Sequence, residues 1–494
     1  MANPEPTSDS WFNRIERVGN RIPHPMALFL YLCGFVAVLS VLGEWFLWQA
    51  THPVNQEVVQ VKSLLTDEGI RFALTSMVKN FLNFAPVGPV VVIVLAFALA
   101  EKSGLLPALI QGIANRASSF WLAPVVALLG VLSSIAMDSG YVVLLPLCMA
   151  MFLAYGRHPL AGLALGFATV SGGFSANLMV GPVDVILSGL STEAVQLVDA
   201  KREVSVVANY YFMLASVVLI ILVCLAVNRF LIEPHLSQTS VKAPTQEAVT
   251  AHFGWSFWVT LIAIVAAWLW LTLPSDAPLR DPQTGDLIKS PFMLSLVTMI
   301  ALSVAVLSTV YGVSQNRFKG WNDWVQALEQ GIKDLAPYLV LMFVVAQFVA
   351  WFKWTDMGTV LAIHMAAILN ALSLPAPLAL MGLLVFTALL NLVVGSSSAK
   401  WAFLAPILIP AFYLVGIEPE AVQGAYRIAD SSTNIITPLM PYFPLVLAFA
   451  QKYEPDAGVG RILTLMLPYS LALLVCWFAL FVVWVVAGWP LGPV

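Results

Sequence analysis

The sequence predicts an all-α polytopic membrane protein with about nine transmembrane helices and two re-entrant helical hairpins in an inverted repeat. Three observations support this fold class. Hydrophobic residues make up 60% of the 494 residues and charged residues only 10%, whereas a soluble domain carries about 25% charged residues. Several apolar runs exceed the roughly 18 residues that a spanning helix requires. Two further apolar runs are interrupted in the middle by small and polar residues.

Apolar runs that end at charges or at proline and glycine clusters define the predicted spans. The first run, 27–48, is long enough to cross a bilayer and lacks a small-residue cleavage site, so it is predicted to be a helix and not a signal peptide. The predicted spans are 27–48, 86–102, 157–190, 205–228, 254–273, 291–314, 331–352, 420–452 and 462–489.

The runs 121–155 and 376–416 do not fit single helices. Each is interrupted near its middle, by SSIAMDSG at 133–140 and by GSSSAKWA at 395–402. Each half has about 15 residues, which is short for a crossing. Irregular backbone inside a bilayer is tolerated where protein or a water-filled cavity surrounds it. Both runs are therefore predicted to be hairpins that enter and leave the membrane on the same side.

The two halves of the chain repeat one order of elements: span, hairpin with a polar tip, span with a polar middle, span. Pro146 and Pro406 are 260 positions apart, as are Pro159 and Pro419. Inverted repeats of this kind are typical of secondary transporters with a site between the halves. The predicted organisation is an N-terminal segment 1–26, a first half 27–232 with the hairpin 121–155 and the broken helix 157–190, a linker 233–253, a second half 254–489 with the hairpin 376–416 and the broken helix 420–452, and a tail 490–494.

Basic residues near the first span predict the orientation of the chain. Arg14, Arg17 and Arg21 precede that span, and positive residues favour the cytoplasmic side of a membrane. We therefore expect a multi-pass protein of the cell inner membrane, with the lipid bilayer around it and a cytoplasmic N-terminus. The linker 233–253 is expected to be cytoplasmic as well.

Polar and charged residues inside the apolar runs form four clusters, at the two hairpin tips and in the two broken spans. A charge at the membrane centre costs roughly 2.5–3.5 kcal/mol on insertion scales, so each charge needs a partner or a purpose. The first hairpin tip carries Ser133, Ser134 and Asp138. The other candidates are Ser175, Asn177 and Asp184 in the first half, and Asn391, Ser396, Ser397, Ser398, Lys400, Trp401, Arg427, Asp430, Ser432, Thr433 and Asn434 in the second.

Breaks in the spans suit the binding of ions. Gly181, Pro182 and Pro438 interrupt two spans, which frees carbonyl groups at the end of one half-helix and N–H groups at the start of the next. The Ser-Ser-Thr-Asn run 431–434 is predicted to supply oxygens at the second break. No cofactor is expected, but a coupling cation, Na⁺ or H⁺, is. The candidate cation ligands are Ser175, Asn177, Ser396, Ser397, Ser432, Thr433 and Asn434, with Na⁺ at Asn177 and Asn434.

Purely structural roles remain open for the same residues. Serine in a membrane helix often serves packing alone. Arg427 and Asp430 lie three positions apart on one helical face, so they can form a local ion pair. Asp184 can lie near the outer end of its span and be solvated. Trp401 can be a packing aromatic or a stacking platform for an aromatic substrate.

Three segments, SGGFSANL, GSSSAKWAFLAPILIP and YRIADSSTNIITPLMPYFPL, together resemble the p-aminobenzoyl-glutamate transporter (AbgT) family of the ion-transporter superfamily. The resemblance covers essentially the whole chain. It implies a homodimer of nine-span protomers, each with two re-entrant hairpins, and ion-driven transport of p-aminobenzoyl-glutamate and related compounds. Family positions that matter for transport correspond to Asp184, Ser398, Trp401, Pro419, Arg427, Asp430 and Pro438; Asn391 is a further candidate.

The expected function is ion-coupled secondary active transport of p-aminobenzoyl-glutamate and p-aminobenzoate-like aromatic carboxylates, with export of sulfonamide antimetabolites as one form of it. Trp401 with Arg427 or Lys400 would hold the substrate, and Asp430 would neutralise the arginine between substrates or respond to a coupling cation. The alternative is Na⁺-coupled import of another small organic anion of the dicarboxylate type. An intramembrane enzyme is disfavoured because no H-E-x-x-H is present, and a passive channel because of the occluding hairpins. No nucleic-acid partner is expected, and import versus export stays open.

Overall fold

A computed structural model of the chain confirms the predicted all-α class. Helices account for 74% of the structure. A two-stranded antiparallel sheet, in which Ala50 lies opposite Val59, is the β-structure among the described residues. The described residues are 25–51, 56–85, 87–114, 120–133, 141, 144–236, 253–285, 290–392, 394–438, 440 and 442–493.

Some predicted features lie outside these ranges. They are most of the N-terminal segment 1–26, most of the linker 233–253, and nearly all of the first hairpin tip 133–140, with Ser134 and Asp138.

The first half of the chain contains ten described helices and both strands. Its last long helix continues through a π-helical turn, Asn228–Ile232, into a short helix. The elements are α1 (Pro25–Trp45), β1 (Gln49–Thr51), β2 (Val58–Gln60), α2 (Asp67–Leu82), α3 (Val87–Lys102), α4 (Leu105–Ala114), α5 (Leu122–Ser133), α6 (Leu145–Ala154), α7 (Pro159–Gly172), α8 (Pro182–Val195), α9 (Tyr210–Val227) and α10 (Glu233–Leu236).

The second half contains nine described helices. Its longest, of 34 residues, contains Pro337 without ending there. The elements are α11 (Trp255–Thr272), α12 (Pro291–Ser314), α13 (Trp321–Trp354), α14 (Met357–Leu372), α15 (Ala376–Asn391), α16 (Ser397–Tyr413), α17 (Pro419–Asn434), α18 (Phe443–Gln451) and α19 (Val459–Val486).

Seven helical runs among the described residues are long and apolar enough to cross a membrane. They overlap seven of the nine predicted spans. The other two predicted spans, 157–190 and 420–452, are each interrupted. The total number of crossings and the inverted repeat stay predictions. The seven runs are Met26–Trp45, Asp67–Lys102, Tyr210–Leu236, Trp255–Thr272, Leu294–Ser314, Trp321–Trp354 and Val459–Val486.

The two interrupted spans have a common layout. Nine non-helical residues, 173–181, separate α7 from α8, and residues 435–442 separate α17 from α18. Proline lies at the first turn of α7, α8, α17 and α18, where its missing N–H and fixed φ favour a helix start. The break after α7 begins at Gly173, and the break after α17 contains Pro438. The chain therefore places four helix ends inside the molecule.

The polar helix α17 lies at the centre of the described structure. Each of its 16 residues is buried. It packs against α7, α8, α15, α16 and α19. Because buried polar groups need hydrogen-bond partners, each polar side chain of α17 must find one on a neighbouring helix or on a ligand.

Helix α7 is also wholly buried and packs against α5 and α6. The approach to α6 is close enough to require glycine at one position. A Cβ at Gly162 would lie 2.5 Å from the carbonyl oxygen of Cys148. This packing fixes α7, and with it the position of the break that follows.

Several elements were not predicted. The sequence interpretation gave no helix at α2, α4 or α14, and no strands. Helix α2 begins with the N-cap Thr66, whose hydroxyl accepts a hydrogen bond from the Gly69 N–H. Its face is too polar to stand out in a search for long apolar runs, which explains the omission.

Candidate functional site

Arg427 lies in α17 and reaches the break between α7 and α8. Its Nη2 donates to a carboxylate oxygen of Asp184 and, at 2.9 Å, to the backbone carbonyl of Ser175. The Arg427 side chain is only 2% exposed. The ion pair therefore joins the central helix of the second half to the broken helix of the first.

Asp184 lies in the first turn of α8. Its Oδ2 accepts a hydrogen bond of 2.8 Å from the Gly181 N–H, and Pro182 occupies the start of the helix. The positive end of the helix dipole favours a carboxylate at this position. Asp184 is 8% exposed, so the alternative that it is solvated at the outer end of its span is wrong.

Lys400 and Asp430 form a second buried ion pair. Lys400 lies in the first turn of α16, and its Nζ is 2.5 Å from Oδ1 of Asp430 in α17. Their side chains are 1% and 0% exposed. In the interior a pair of opposite charges is stable only when both are present, because either one alone would be an uncompensated buried charge.

Asn391, the last residue of α15, connects Lys400 to the end of α17. Its Oδ1 accepts from Lys400 Nζ. Its Nδ2 lies 2.8 Å from Thr433 Oγ1, 3.0 Å from Asn434 Oδ1 and 2.8 Å from the backbone carbonyl of Asp430. The Asn391 amide thus accepts from the Lys400 ammonium through its oxygen and contacts three oxygens of the last turns of α17 through its nitrogen.

These two pairs correct the expectation for Arg427 and Asp430. They do not pair with each other, although they are three positions apart on α17: Arg427 pairs with Asp184 and Asp430 with Lys400. Helices packed on α17 present an opposite charge to each of them. Asp430 is therefore not the neutralising partner of Arg427, and the local ion pair is wrong.

The run 431–434 is helical. Helix α17 continues to Asn434, so the run lies in the last turn before the second break and not in an unwound segment; that it supplies oxygens to an ion there stays a prediction. Ser431 and Ser432 are fully buried, and Ser431 Oγ accepts from the Ser175 N–H at 3.2 Å. The run is therefore the C-terminal end of a half-helix, where side-chain oxygens and the final carbonyls lie together.

Trp401 is fully buried. Its Nε1 donates to Ser191 Oγ of α8 at 3.0 Å, and its ring lies 4.4 Å from the ring of Tyr426. It packs α16 onto α8 and α17, and it is not among the residues that line the cleft described below. A stacking role for Trp401 with a substrate stays a prediction.

The remaining residues of the second hairpin tip mark the start of α16. Ser396 is its N-cap and accepts from the Ala399 N–H at 3.4 Å. Ser397 and Ser398 form the first turn, and the Ser397 carbonyl accepts a 2.6 Å hydrogen bond from the Tyr426 hydroxyl. Pro419 begins α17 and is buried.

Three further polar residues, Gln423, Ser191 and Asn209, belong to this network and were not singled out from the sequence. Gln423 Nε2 donates to Ser191 Oγ at 2.9 Å, and Gln423 Oε1 accepts from Asn209 Nδ2 at 2.6 Å. Gln423 precedes Arg427 by four residues, so both lie on one face of α17. That spacing was visible in the sequence and identifies Gln423 as a candidate.

A small cleft opens beside the Arg427–Asp184 pair. Its volume is about 10 Å³, roughly the space of one water molecule. The Nε of Arg427 is buried and has no hydrogen-bond partner among the described residues. Its free donor can bind an anionic group. The cleft is lined by Asn177, Met179, Val180, Asp184, Val206, Asn209, Tyr210, Met213 and Arg427.

Several of the candidate residues thus form two groups in the structure. Ser175 and Asn177 lie at the first break beside Arg427, and Asn177 lines the cleft. Thr433 and Asn434 belong to the second group, which surrounds Asn391 and the Lys400–Asp430 pair at the end of α17. Each group combines a basic side chain, a carboxylate and neutral oxygens, which suits it to an anion or to a monovalent cation.

A comparison with protein families identifies the chain. Residues 10–494 match the model of the AbgT putative transporter family. The chain belongs to the AbgT family. The resemblance found in the sequence motifs is thereby confirmed, and so is the prediction that the protein is a membrane transporter and not an enzyme.

Individual AbgT relatives are similar along almost their full length. The p-aminobenzoyl-glutamate transport protein of Escherichia coli (strain K12) is 36% identical over 490 residues, which cover 98% of this chain and 96% of the relative. The YdaH transporter of Alcanivorax borkumensis, whose structure has an unusual topology, superposes with a TM-score of 0.93 at 46% identity. That match covers 95% of this chain and 100% of YdaH.

A second solved AbgT structure is that of MtrF from Neisseria gonorrhoeae, described as one of a class of antimetabolite efflux pumps. It superposes with a TM-score of 0.88 at 38% identity and covers 96% of this chain and 97% of MtrF. The two structures share the fold of this chain; one belongs to a transporter and the other to a class of antimetabolite efflux pumps.

Proposed function

We propose that the protein is an ion-coupled secondary active transporter of p-aminobenzoyl-glutamate and p-aminobenzoate-like aromatic carboxylates, and that sulfonamide antimetabolites are among the compounds it exports. The observation that carries the proposal is the buried guanidinium of Arg427. It borders the cleft, and its Nε has no hydrogen-bond partner among the described residues. A carboxylate is the ligand that such a free donor favours.

The names of the relatives support the substrate class. One is a p-aminobenzoyl-glutamate transport protein, and another belongs to a class of antimetabolite efflux pumps. They do not favour the alternative of a Na⁺-coupled dicarboxylate importer. A substrate carboxylate would replace part of the Arg427–Asp184 contact, and Tyr210 and Met213 would offer contacts to its aromatic ring.

Coupling to Na⁺ or H⁺ is part of the proposal. Secondary active transport needs a coupling ion, and the binding of that ion must differ between the conformations that face the two sides of the membrane. The hydroxyl and amide oxygens of Ser175, Asn177, Thr433 and Asn434 supply weak, uncharged ligands of the kind that release a cation readily. We further propose that the protein is a homodimer in the inner membrane with a cytoplasmic N-terminus.

Flux into liposomes tests the proposal. The purified protein is reconstituted and supplied with labelled p-aminobenzoyl-glutamate, p-aminobenzoate, a sulfonamide or succinate, under a Na⁺ gradient or a pH gradient imposed separately. We expect p-aminobenzoyl-glutamate to accumulate above its external concentration under one gradient, and succinate not to. Reversing the gradient then tells import from export.

The control compares two arginines. Arg427→Met should reduce accumulation at least tenfold, whereas Arg71→Met, at an exposed position of α2, should leave it unchanged. Equilibration without accumulation under both gradients would indicate a channel, and absence of flux for all aromatic carboxylates would refute the substrate class.

A further inference from the structure

The ammonium of Lys400 lies where a monovalent cation would find its ligands. Asp430 Oδ1 is 2.5 Å away and Asn391 Oδ1 also contacts it. Neither Asp430 carboxylate oxygen accepts a hydrogen bond of normal geometry from another described residue. Asn434 Oδ1 and Thr433 Oγ1 accept hydrogen bonds from Nδ2 of Asn391, which orients its Oδ1 toward Lys400.

This set of oxygens has the composition of a monovalent cation site. Around the Lys400 ammonium it contains a carboxylate oxygen of Asp430 and the amide oxygen of Asn391, at the C-terminal end of α17. Half-helix C-termini and uncharged oxygens coordinate Na⁺ in transporters with broken helices. An ammonium makes the same demand on its surroundings, because it carries one positive charge and has only donors.

The charge balance of the site also points to one cation. Lys400 and Asp430 are both buried, and α16 packs against α8, α13, α14 and α17. On those helices, Asp184 pairs with Arg427. Among the described residues, Asp430 is the acidic residue whose carboxylate lies within ion-pair distance of Lys400. One positive charge therefore compensates one carboxylate.

We propose that Lys400 acts as a tethered cation: its ammonium fills a site that would otherwise bind Na⁺. The site is formed by Asp430 and by the Asn391 amide oxygen, and Thr433 and Asn434 hold the Asn391 amide in place by accepting from its Nδ2. A free cation can therefore enter this site only when the Lys400 ammonium leaves it. This consequence rests on the proposed ion-coupled transport. Lys400 thus sets whether Na⁺ can contribute to the transport cycle here. Removing the ammonium while keeping the side-chain stem should create a Na⁺ site.

Thermal unfolding of the full-length protein in detergent tests this independently of substrate flux. Lys400→Met keeps the length of the stem but leaves space at the position of Nζ, with the Asp430 carboxylate uncompensated. We expect its Tm to be lowered in choline chloride and to rise in NaCl of equal ionic strength. At one hundred times the dissociation constant, the rise should exceed that of the wild type by about 2–5 °C.

Two controls isolate the site. Lys400→Met/Asp430→Asn has no net buried charge, so it should show no Na⁺ response beyond that of the wild type. Lys319→Met replaces an exposed lysine in the same way and should behave as the wild type. The proposal would be overturned if the Na⁺ response of Lys400→Met were equal to that of the wild type. It would also be overturned if the double variant responded to Na⁺ as strongly as Lys400→Met does.

The recovery of the variant is also informative. If Lys400→Met is folded only when purified in NaCl, Na⁺ has replaced the ammonium and the proposal is supported. If it is unfolded in both NaCl and choline chloride, the oxygens do not form a Na⁺ site and the proposal is wrong. Loss of substrate accumulation in liposomes, by contrast, would test the proposed transport function alone.

Discussion

Each of the two basic side chains of the candidate site is held by a carboxylate from a different helix. Arg427 pairs with Asp184 across the two halves of the chain, and Lys400 pairs with Asp430 within the second half. Removing one partner of a buried pair leaves an unpaired charge, which costs more than removing both. The pairs thus fix the relative positions of the helices around α17.

The Asp184 pair gives a prediction for stability. Asp184→Asn removes the negative charge and should destabilise the protein by about 3–5 kcal/mol, because Arg427 is then buried without its counter-ion. Asp184→Asn/Arg427→Met should be less destabilised than the sum of its single variants. Thermal unfolding in detergent measures both. Additive effects of the two substitutions would contradict the direct pairing of Arg427 with Asp184.

Asp199, in the loop between α8 and α9, gives a prediction for pH dependence. The Lys201 N–H donates to its Oδ1 at 3.1 Å and the Tyr413 hydroxyl to its Oδ2 at 3.0 Å, and these bonds hold the pKa of Asp199 below its ordinary value of 3.8. A lowered carboxyl pKa adds stability that is present above the ordinary value and is lost as the pH falls through the lowered one.

We therefore expect Asp199→Asn to have a lower Tm than the wild type at pH 7, with the difference shrinking as the pH falls below 3.8. Tyr413→Phe, which removes only the hydroxyl, should show part of the same effect. Tm measured from pH 7 to pH 2.5 provides the test. A constant difference between wild type and Asp199→Asn over that range would refute the contribution of ionised Asp199.

The sequence identified the residues of the site better than their partners. Insertion costs alone select Asp184, Lys400, Arg427 and Asp430, because each is a charge inside an apolar run. The packing of α8, α15 and α16 around α17 determines which carboxylate pairs with each basic side chain. The spacing of residues along the sequence does not reveal this packing. The i, i+3 spacing of Arg427 and Asp430 therefore suggested a pair that the fold does not form.

At the scale of elements, proline and glycine located the interruptions of the two spans, whereas amphipathic or short helices were missed. Pro182 and Pro419 begin α8 and α17 because proline suits the first turn of a helix. Helices α2 and α14 each have only 16 residues. Hydropathy over long windows does not separate such helices from loops.

The contact between α6 and α7 gives a prediction at this scale. A Cβ at Gly162 would lie 2.5 Å from the Cys148 carbonyl oxygen, and backbone cannot move aside as a side chain can. Gly162→Ala should destabilise the protein by about 1–3 kcal/mol by separating the two helices. Tm measured in detergent, compared with the wild type, gives the size of the effect.

Gly382→Ala is the matched control, because a Cβ at that position in α15 has no heavy atom within 4 Å. Alanine is a better helix former than glycine by about 1 kcal/mol, so this variant should be as stable as the wild type or more so. If both substitutions lowered Tm equally, close packing at Gly162 would not be the cause.

At the scale of the whole molecule, the cleft at Arg427 is too small to hold the proposed substrate. Its volume of about 10 Å³ is far below the roughly 300–1,000 Å³ of pockets that enclose small organic ligands. The Tyr210 hydroxyl donates to the Leu178 carbonyl at 3.0 Å and holds α9 against the first break. Binding of an aromatic carboxylate beside Arg427 therefore requires the walls of the cleft to separate.

Cross-linking of these walls tests the required motion. Met179 and Val206 line the cleft from the first break and from the loop before α9. Cys476 is first replaced by serine, because among the described cysteines it is the one that is only partly buried. The variant Met179→Cys/Val206→Cys in this background is then treated with a short bifunctional thiol reagent. We expect the linked protein to lose at least 90% of its accumulation of p-aminobenzoyl-glutamate in liposomes. Each single-cysteine variant, treated in the same way, should keep most of its activity because its walls remain free to part. Full activity of the linked protein would mean that the substrate reaches its site without opening this cleft, and the route past Arg427 would have to be abandoned.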